Sequence, residues 1–272
     1  MYTSLLRTIS LAALAASLML PINAQAHRAW ILPAATVLSS DNAWVTVDAA
    51  ISNDIFHTDY HAMDLSAIKI FNPKGKEVAM QNPSKGRYRS VFDVELTENG
   101  TYKIAAVNEG AFAMWEENGE RKRWRGALAE LSQAVPENAK QVQLTETHRR
   151  LETFVTNGAP TTEALTLSKQ GLELLPHTHP NDLFATETAR FQLLIDGKPA
   201  ANSSVEVIPG GMRYRDAQEA ISTTADEEGY INITWPHAGM YWLNAIYEDN
   251  QAETQRAKRR ASYTATFEVL PL

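Results

Sequence analysis

Along most of this chain, apolar and polar residues alternate with a period of two, which is the pattern of a half-buried β-strand. Residues 44–49 (WVTVDA), 87–96 (RYRSVFDVEL) and 101–107 (TYKIAAV) show this alternation most clearly. Turn signals such as residues 72–75 (NPKG) separate the runs, and 12 prolines and 13 glycines fit a chain with many turns. The pattern predicts an all-β fold built from antiparallel β-sandwiches of the Ig-like or transthyretin-like kind.

The strand-like runs fall into two groups, and we predict one β-sandwich domain for each. Residues 157–160 (NGAP) mark the boundary, so the predicted domains are residues 27–158 and 159–272. A charged insertion near residues 116–140 interrupts the first domain, with a short helical turn around residues 127–131.

Two turns predict β-hairpins inside these domains. An ENG turn joins residues 87–96 to residues 101–107, and a DGKP turn joins residues 189–195 to residues 204–209. We expect the strands on either side of each turn to pair in one antiparallel sheet.

Residues 1–26 have the three parts of a secretory signal peptide. Arg7 provides a positive charge, residues 9–20 form an apolar run, and residues 24–26 (AQA) provide the small-x-small cleavage site. We therefore predict an exported, periplasmic protein whose mature form begins at His27. The alternative is a retained membrane anchor, for which the apolar run is short. No later segment approaches about 18 consecutive apolar residues, so we predict no further membrane span.

The composition excludes several kinds of site. The chain has no cysteine, so disulfides, thiolate metal ligands and cysteine nucleophiles are all excluded. The formal net charge is −7, and loss of Arg7 would make it one unit more negative. An acidic exported chain is a poor nucleic-acid partner, and we predict no nucleic-acid binding.

Several segments resemble the bacterial DUF4198 family in the order of their residues as well as in their composition. They are residues 27–33 (HRAWILP), 51–56 (ISNDIF), 117–126 (ENGERKRWRG), 172–183 (LELLPHTHPNDL) and 191–211 (FQLLIDGKPAANSSVEVIPGG). The resemblance covers most of the chain after residue 26 and implies a periplasmic protein; some family members have been labelled nickel-transport subunits. The last part of the chain also resembles the carboxypeptidase-regulatory or transthyretin-like β-sandwich. No catalytic residue is carried over.

The predicted N-terminus is the most specific chemical feature of the chain. Cleavage after Ala26 would leave a free α-amine on His27, and this amine and the imidazole Nδ1 can chelate one metal ion. One further histidine would complete a three-nitrogen histidine brace, which suits Cu(II) or Ni(II). An α-amine has a reference pKa near 8, so it loses its proton to a metal at little cost near neutral pH. The alternative is a chance histidine in a flexible tail.

A second pair of histidines follows at residues 57–61 (HTDYH). The i, i+4 spacing brings His57 and His61 together in a helical turn and separates them on a strand. Asp59 and Asp64 are candidates for orienting the two rings by hydrogen bonds. The alternative interpretation is two surface histidines in a polar loop.

The third histidine motif is an H-x-H between two prolines, at residues 176–182 (PHTHPND). His177 and His179 can chelate from an extended loop, with Asp182 as an additional ligand, but one H-x-H is a weak motif. The resemblance to the DUF4198 family implies that this segment is a loop joining the domains, so we favour a structural role for His179 or Asp182.

The remaining candidates have no visible partner in the sequence. The basic stretch at residues 120–125 (ERKRWR) offers four cations and an aromatic ring to an acidic ligand. We favour a solvated strand with Trp124 packed inward. His148 and His237 are interpreted as ordinary histidines.

Three functions follow from these observations. We predict a non-enzymatic periplasmic protein that binds nickel or copper during uptake or handling, with an envelope transport component as partner. The predicted ligands are His27, His57 and His61, with His177, His179 and Asp182 as additional candidates. The alternative is a binding or scaffold module that recognises a protein or a glycan without a metal. The third hypothesis is a copper oxidative enzyme of the histidine-brace type.

Overall fold

A computed structural model describes residues 27–254 and 257–272, so the predicted signal peptide lies outside the described residues. Most of the described chain is β-strand, which confirms the all-β class. The strands are β1 Arg28–Pro33, β2 Val37–Leu38, β3 Ala43–Ser52, β4 His61–Ala62, β5 Ile68–Phe71, β6 Glu77–Val78, β7 Gln81–Lys85, β8 Ser90–Leu96, β9 Gly100–Glu117, β10 Glu120–Gly126, β11 Lys140–Asn157, β12 Leu172–Pro176, β13 Thr188–Ile195, β14 Lys198–Pro199, β15 Ser204–Pro209, β16 Ile221–Thr224, β17 Tyr230–Thr234, β18 Gly239–Asp249 and β19 Lys258–Val269. The helical elements are α1 Leu131–Ala134 and short 3-10 turns at Leu65–Ala67, Leu128–Glu130, Glu163–Leu165 and Met212–Tyr214.

The described strands form three sheets, which we name A, B and C. Sheet A has the order β1-β3-β8-β7, with β4 also paired to β3. Sheet B has the order β16-β15-β18-β19-β11-β9-β5-β6, with β10 on β9 and β2 on β11. Sheet C has the order β12-β13-β14, with β17 on β13. Pairing is mostly antiparallel, but β11 runs parallel to both β19 and β2.

Strand β11 lies between two hydrophobic cores. Its side chains alternate between the two faces of sheet B. Leu151 and Val155 lie in a core with the strands of sheet A, which we call the N-terminal core. Phe154 lies in a core with the strands of sheet C, which we call the C-terminal core. Sheets A and C therefore cover opposite faces of sheet B, and each sandwich uses sheet B as its second layer.

The predicted alternation sets which side chains enter the cores. On β3, Val45 and Val47 are 3% and 0% exposed, whereas Trp44, which precedes them on the same strand and points to the other face, is 46% exposed. In the C-terminal core, the Phe191 and Phe267 rings stack with centroids 5.5 Å apart. Burying each such side chain contributes about 1.5–3 kcal/mol, so the alternating residues supply most of the driving force for folding.

Each half of the chain contains a tyrosine corner, in which a buried tyrosine near a strand start bonds to backbone a few residues upstream. In the first half, the Glu98 N–H donates to the Tyr102 hydroxyl over 2.9 Å. In the second half, the Tyr241 hydroxyl donates to the His237 carbonyl over 2.7 Å. Both tyrosines are fully buried, at 1% and 0% exposure. The recurrence indicates that in each half the chain enters sheet B through the same local structure.

A glycine two positions before each tyrosine makes these corners possible. Gly100 and Gly239 have φ angles of 125° and 143°, which residues with a side chain rarely adopt. At Gly100, an added Cβ atom would lie 2.7 Å from the Cβ of Pro73. The chain can therefore turn closely against its neighbour only with glycine there.

Both predicted hairpins are wrong, because the chain changes sheet at each turn. Strand β8 lies in sheet A, while β9, which follows the first corner, lies in sheet B. Strand β13 pairs with the short β14, while β15 crosses to sheet B and pairs with β16 and β18. Period-two alternation is the same for strands that pair in one sheet and for strands that face each other across a core, so the sequence pattern did not distinguish the two.

A buried ionic network joins β11, β12 and β19. The Arg150 guanidinium lies 3.3 Å from the Glu152 carboxylate and 3.5 Å from the Glu173 carboxylate. It also donates to the Ser168 hydroxyl over 2.9 Å, and the Tyr263 hydroxyl donates to Glu152 over 3.0 Å. Burial, and then the neighbouring Glu152 carboxylate, raises the pKa of Tyr263, so this hydroxyl keeps its proton. The network thus links the shared sheet to sheet C through paired charges.

The predicted charged insertion forms strand β10 and helix α1 beside an extension of β9 and β11. Trp124 packs against a small apolar cluster that includes Ala113, Trp115 and Leu131. The inward orientation of Trp124 is therefore confirmed. The arginines of β10 alternate to the opposite face of the strand.

The predicted boundary between residues 158 and 159 follows directly after β11. Sheet B runs across this boundary, because β11 before it pairs with β19 after it. A second apolar cluster also joins the two halves, with Trp30 of β1 against Ile208 and Trp242. In the ranges that the structure describes, no helix has the length and apolar character to cross a membrane.

Removing either corner hydroxyl should destabilise the fold. Tyr102→Phe and Tyr241→Phe should each lower the free energy of unfolding by about 1 kcal/mol, because each removes one buried hydrogen bond to the backbone. Urea denaturation followed by tryptophan fluorescence measures the change. Tyr214→Phe is the matched control, since Tyr214 is 87% exposed. Unfolding curves of both corner variants that overlay the curve of the control would contradict this role.

Removing the buried cation should have a larger effect. Arg150→Met should lower the free energy of unfolding by about 3–5 kcal/mol, because it leaves two buried carboxylates without their partner. Combining it with Glu152→Gln and Glu173→Gln should recover part of the loss in the same urea titration. A combined variant no more stable than Arg150→Met would show that unpaired charge is not the cause.

Candidate functional site

His27 is held at the start of a well-anchored strand. The next residue begins β1, which pairs along its length with β3, from Arg28 opposite Ser52 to Pro33 opposite Val47. Trp30 is 1% exposed, and its indole N–H donates to the Ser52 hydroxyl over 2.6 Å. The His27 side chain is exposed. The chain is therefore fixed within three residues of the predicted cleavage site, while the imidazole remains accessible.

Arg28 adds a second anchor at the same point. Its guanidinium donates to the Asn53 carbonyl over 3.3 Å and to the Gln218 side-chain oxygen over 3.2 Å. It also lies over the Trp242 ring, 5.6 Å from the centroid. These contacts connect the first described residues to the second half of the chain.

The Tyr60 ring lies close to the rings of two of the predicted ligands. Its ring stacks on the His27 imidazole with centroids 3.7 Å apart and an interplanar angle of 20°. The centroid of the His61 ring is 6.4 Å from that of Tyr60. His61 belongs to β4, where it pairs with Ile51, and Ile51 pairs on its other side with Ala29. The structure thus brings His27 and His61 to the same end of sheet A.

One hydrogen bond sets the tautomer of His61. Its Nδ1 lies 2.5 Å from the Ala62 carbonyl oxygen. A carbonyl oxygen can only accept, so Nδ1 carries a proton, and in the neutral ring the lone pair is then on Nε2. A histidine metal ligand commonly has this arrangement, in which one ring nitrogen donates to a carbonyl and the other binds the metal.

His57 points to a different partner. Its Nε2 lies 3.2 Å from a guanidinium nitrogen of Arg213, which follows Met212 in the 3-10 turn Met212–Tyr214. A guanidinium can only donate, so the Nε2 lone pair is already used. A metal ion at this nitrogen would also lie beside a fixed positive charge. The structure therefore separates His57 from the pair formed by His27 and His61.

The two aspartates of this region have other roles than orienting imidazoles. The Asp59 carboxylate accepts from the Asn53 backbone N–H over 2.9 Å and from its side-chain amide over 3.3 Å. The Asp64 carboxylate caps the 3-10 turn Leu65–Ala67 by accepting from the Ser66 N–H over 3.1 Å. The expectation that these carboxylates orient the rings of His57 and His61 is therefore wrong: both shape the loop.

His179 has both ring nitrogens in hydrogen bonds. Nδ1 accepts from the Asn181 N–H over 3.1 Å, and Nε2 lies 3.1 Å from both the Thr161 carbonyl and the Thr101 hydroxyl. Burial lowers the pKa of His179, which favours the neutral ring. The bond to Thr101 ties the loop after β12 to the first half, which agrees with the joining role that the resemblance implies.

The other two ligand candidates of this loop, His177 and Asp182, are exposed. The His177 ring is 5.2 Å from the ring of Tyr230, on the outside of sheet C. The Asp182 N–H donates to the His179 carbonyl, and the Asp182 side chain is exposed. The described loop does not group these three side chains as a metal site. They stay additional ligand candidates: His177, His179 and Asp182.

The two histidines interpreted as ordinary have local partners. His148 Nδ1 lies 3.5 Å from the Glu109 carboxylate across the β11–β9 pair. His237 Nδ1 lies 3.1 Å from the Tyr241 hydroxyl in the second tyrosine corner.

The arrangement at the end of sheet A offers two imidazoles and an aromatic ring. Among the residues that the structure describes, no group of three or more histidine, aspartate or glutamate side chains is placed to hold a metal ion. The α-amine that signal cleavage would release from His27 is the remaining nitrogen of the predicted brace. Sequence reasoning missed Tyr60 as a partner of His27 and Arg213 as a partner of His57, because only tertiary contacts bring these residues together.

Several solved structures have a low similarity to this chain. The D0-D1 domain of intimin is 9% identical, covers 88% of this chain and 97% of its own, and has a TM-score of 0.22. A DUF4785 family protein from Legionella pneumophila is 10% identical, with 79% and 50% covered and a TM-score of 0.23. The FN1-FN3 domains of chicken CNTN1 are 7% identical, with 90% and 100% covered and a TM-score of 0.23. Similarity this low does not assign a function.

A comparison with curated proteins gives no match. The model of the family described as "Domain of unknown function (DUF4198)" matches residues 24–249, which is most of the chain. The chain therefore belongs to the DUF4198 family.

Proposed function

We propose that this protein is exported to the periplasm and there binds Cu(II) or Ni(II) through His27 and His61, as a metal-handling protein. The observation that carries the proposal is the stack of His27 on Tyr60, beside a His61 whose Nε2 lone pair is free. After cleavage, the α-amine and Nδ1 of His27 and the Nε2 of His61 would be the three nitrogen ligands.

The anchoring of β1 supports this site. A terminal chelate is useful only if the terminus is held in place, since ordering a flexible tail would cost conformational entropy. Here the hydrogen bonds of the Arg28 and Trp30 side chains anchor the start of β1, next to the predicted terminus, before any metal binds. Cu(II) and Ni(II) both favour planar sets of nitrogen ligands, which an amine and two imidazoles can provide.

The contacts of His57 narrow the predicted ligand set. Its Nε2 accepts from Arg213, so we propose His27 and His61 as ligands and give His57 a role in holding the loop. This leaves coordination positions for solvent or for an envelope transport component, as exchange of a transported metal requires.

The proposed site requires that His27 is the first residue of the mature protein. Full-length protein expressed with its first 26 residues should be recovered from the periplasm with His27 as its first residue. Intact-mass measurement and N-terminal sequencing check this. Recovery of an uncleaved chain, or of one starting elsewhere, would remove the chelating amine and with it the proposed site.

Metal titration then tests the ligands. Isothermal titration of mature protein with Cu(II) and Ni(II) should show one site, and one alanine added before His27 should weaken it at least about tenfold, because the amine is lost as a ligand. His61→Ala should have a similar effect, whereas His57→Ala and His177→Ala should leave the affinity within about twofold. In the electron paramagnetic resonance spectrum of the copper form, the nitrogen hyperfine structure should change in the two variants that weaken binding and stay unchanged in His57→Ala and His177→Ala.

Three results would count against the metal proposal. Affinity unaffected by the added alanine would exclude the amine, and equal losses in His57→Ala and His61→Ala would restore the original three-histidine set. Absence of binding at micromolar metal would favour the binding or scaffold module instead. Reductant-driven peroxide production by the copper-loaded protein, absent from His61→Ala, would favour the oxidative enzyme.

A further inference from the structure

A cationic groove lies on sheet B and is lined by none of the histidines of the proposed metal site. It has a volume of about 400 Å³ and is bounded by side chains of β9, β10, β11, β18 and β19. This is the face of sheet B that sheet A covers elsewhere, since Arg149, Leu151 and Val155 alternate to the same side of β11. The groove is thus an uncovered continuation of a sheet face that is otherwise core.

Strand register brings the cations together from separate segments. Arg125 of β10 pairs with Phe112, Phe112 pairs with Thr145, and Thr145 pairs with Lys258. One row further, Thr147 pairs with Arg260. Threonine hydroxyls and the Phe112 ring therefore form the floor, with positive side chains at both ends of the row.

The positive charge in the groove is largely uncompensated. Arg260 pairs with Glu248 of the neighbouring strand. For Arg125, Arg149 and Lys258 the described part of the chain provides no carboxylate within salt-bridge distance. This concentration of cations stands out on a chain whose formal net charge is −7.

Arg149 is the central cation of the cluster. It is half-buried, and burial followed by the positive charges of Arg125 and Arg260 lowers its pKa. Holding a desolvated guanidinium among like charges costs folding free energy, and groups held at such a cost cluster at binding sites.

We propose that this groove binds a small anion that carries two or more phosphate groups. Guanidinium groups bind phosphate oxygens through paired, charge-assisted hydrogen bonds, and the threonine hydroxyls can donate to the remaining oxygens. The volume lies within the range of small-ligand sites, about 300–1,000 Å³. The groove shares no residue with the histidine pair, so the proposal is independent of metal binding.

Pyrophosphate is the probe for this site. Isothermal titration of mature protein with pyrophosphate should show binding that weakens as salt is raised, because the contacts are electrostatic. Arg149→Gln should weaken it at least about tenfold. Arg190→Gln, whose guanidinium lies over Tyr230 on sheet C, is the matched control and should bind as the unmodified protein does.

A gain-of-binding variant separates the proposal from a loss of fold. Glu248→Gln frees Arg260 from its ion pair and should tighten pyrophosphate binding about threefold. Without ligand, Arg149→Gln should melt at the same temperature as the unmodified protein or higher, because like-charge repulsion is relieved.

Several results would overturn the assignment. Failure of the unmodified protein to bind pyrophosphate, or equal binding by Arg149→Gln, would exclude the groove as a phosphate site. Weaker binding by Glu248→Gln would contradict anion binding in this groove, since removing a carboxylate beside a bound anion should favour the anion. Citrate binding more tightly than pyrophosphate would replace the phosphate class with polycarboxylates.

Discussion

The parallel pairing of β11 with β19 is the interaction on which the architecture depends. It joins the last strand of the first half to the last strand of the second, from Thr145 opposite Lys258 to Thr153 opposite Thr266. Because β11 has a core on each face, its side chains must satisfy two environments at once. Leu151 and Val155 meet the N-terminal core, while Phe154 and the Arg150 network meet the other side. Sheet B is consequently the common layer of both sandwiches.

This shared layer also determines where the two candidate sites lie. Strand β1 is held against the second half by the Trp30, Ile208 and Trp242 cluster, and the Trp242 indole N–H donates to the Ala29 carbonyl over 3.0 Å. That contact holds the strand that follows His27. The cationic groove lies on the same face of sheet B, where sheet A no longer covers it and β10 brings Arg125 alongside. Both proposed sites therefore depend on segments from both halves of the chain.

Much of the fold was predictable because its determinants are local. The alternation at residues 44–49 placed Val45 and Val47 inward, and Trp124 was correctly assigned to the inner side of its strand. The hairpins were wrong because alternation records only which side of a strand is buried, not which strand is its neighbour. The recurring G-x-Y at Gly100 and Gly239 was an available signal, since a tyrosine corner carries the chain between sheets.

The sequence by itself determined the all-β class, the family resemblance and the histidine positions, because periodicity, turn chemistry and motif spacing are properties of neighbouring residues. It also left His27, His57 and His61 as one candidate set. Only the tertiary structure separated them, by stacking Tyr60 on His27, freeing the Nε2 of His61 and placing Arg213 on His57. It likewise assembled Arg125, Arg149, Lys258 and Arg260 into one groove. Such contacts depend on strand register between segments far apart in the chain, and local patterns carry no information about that register.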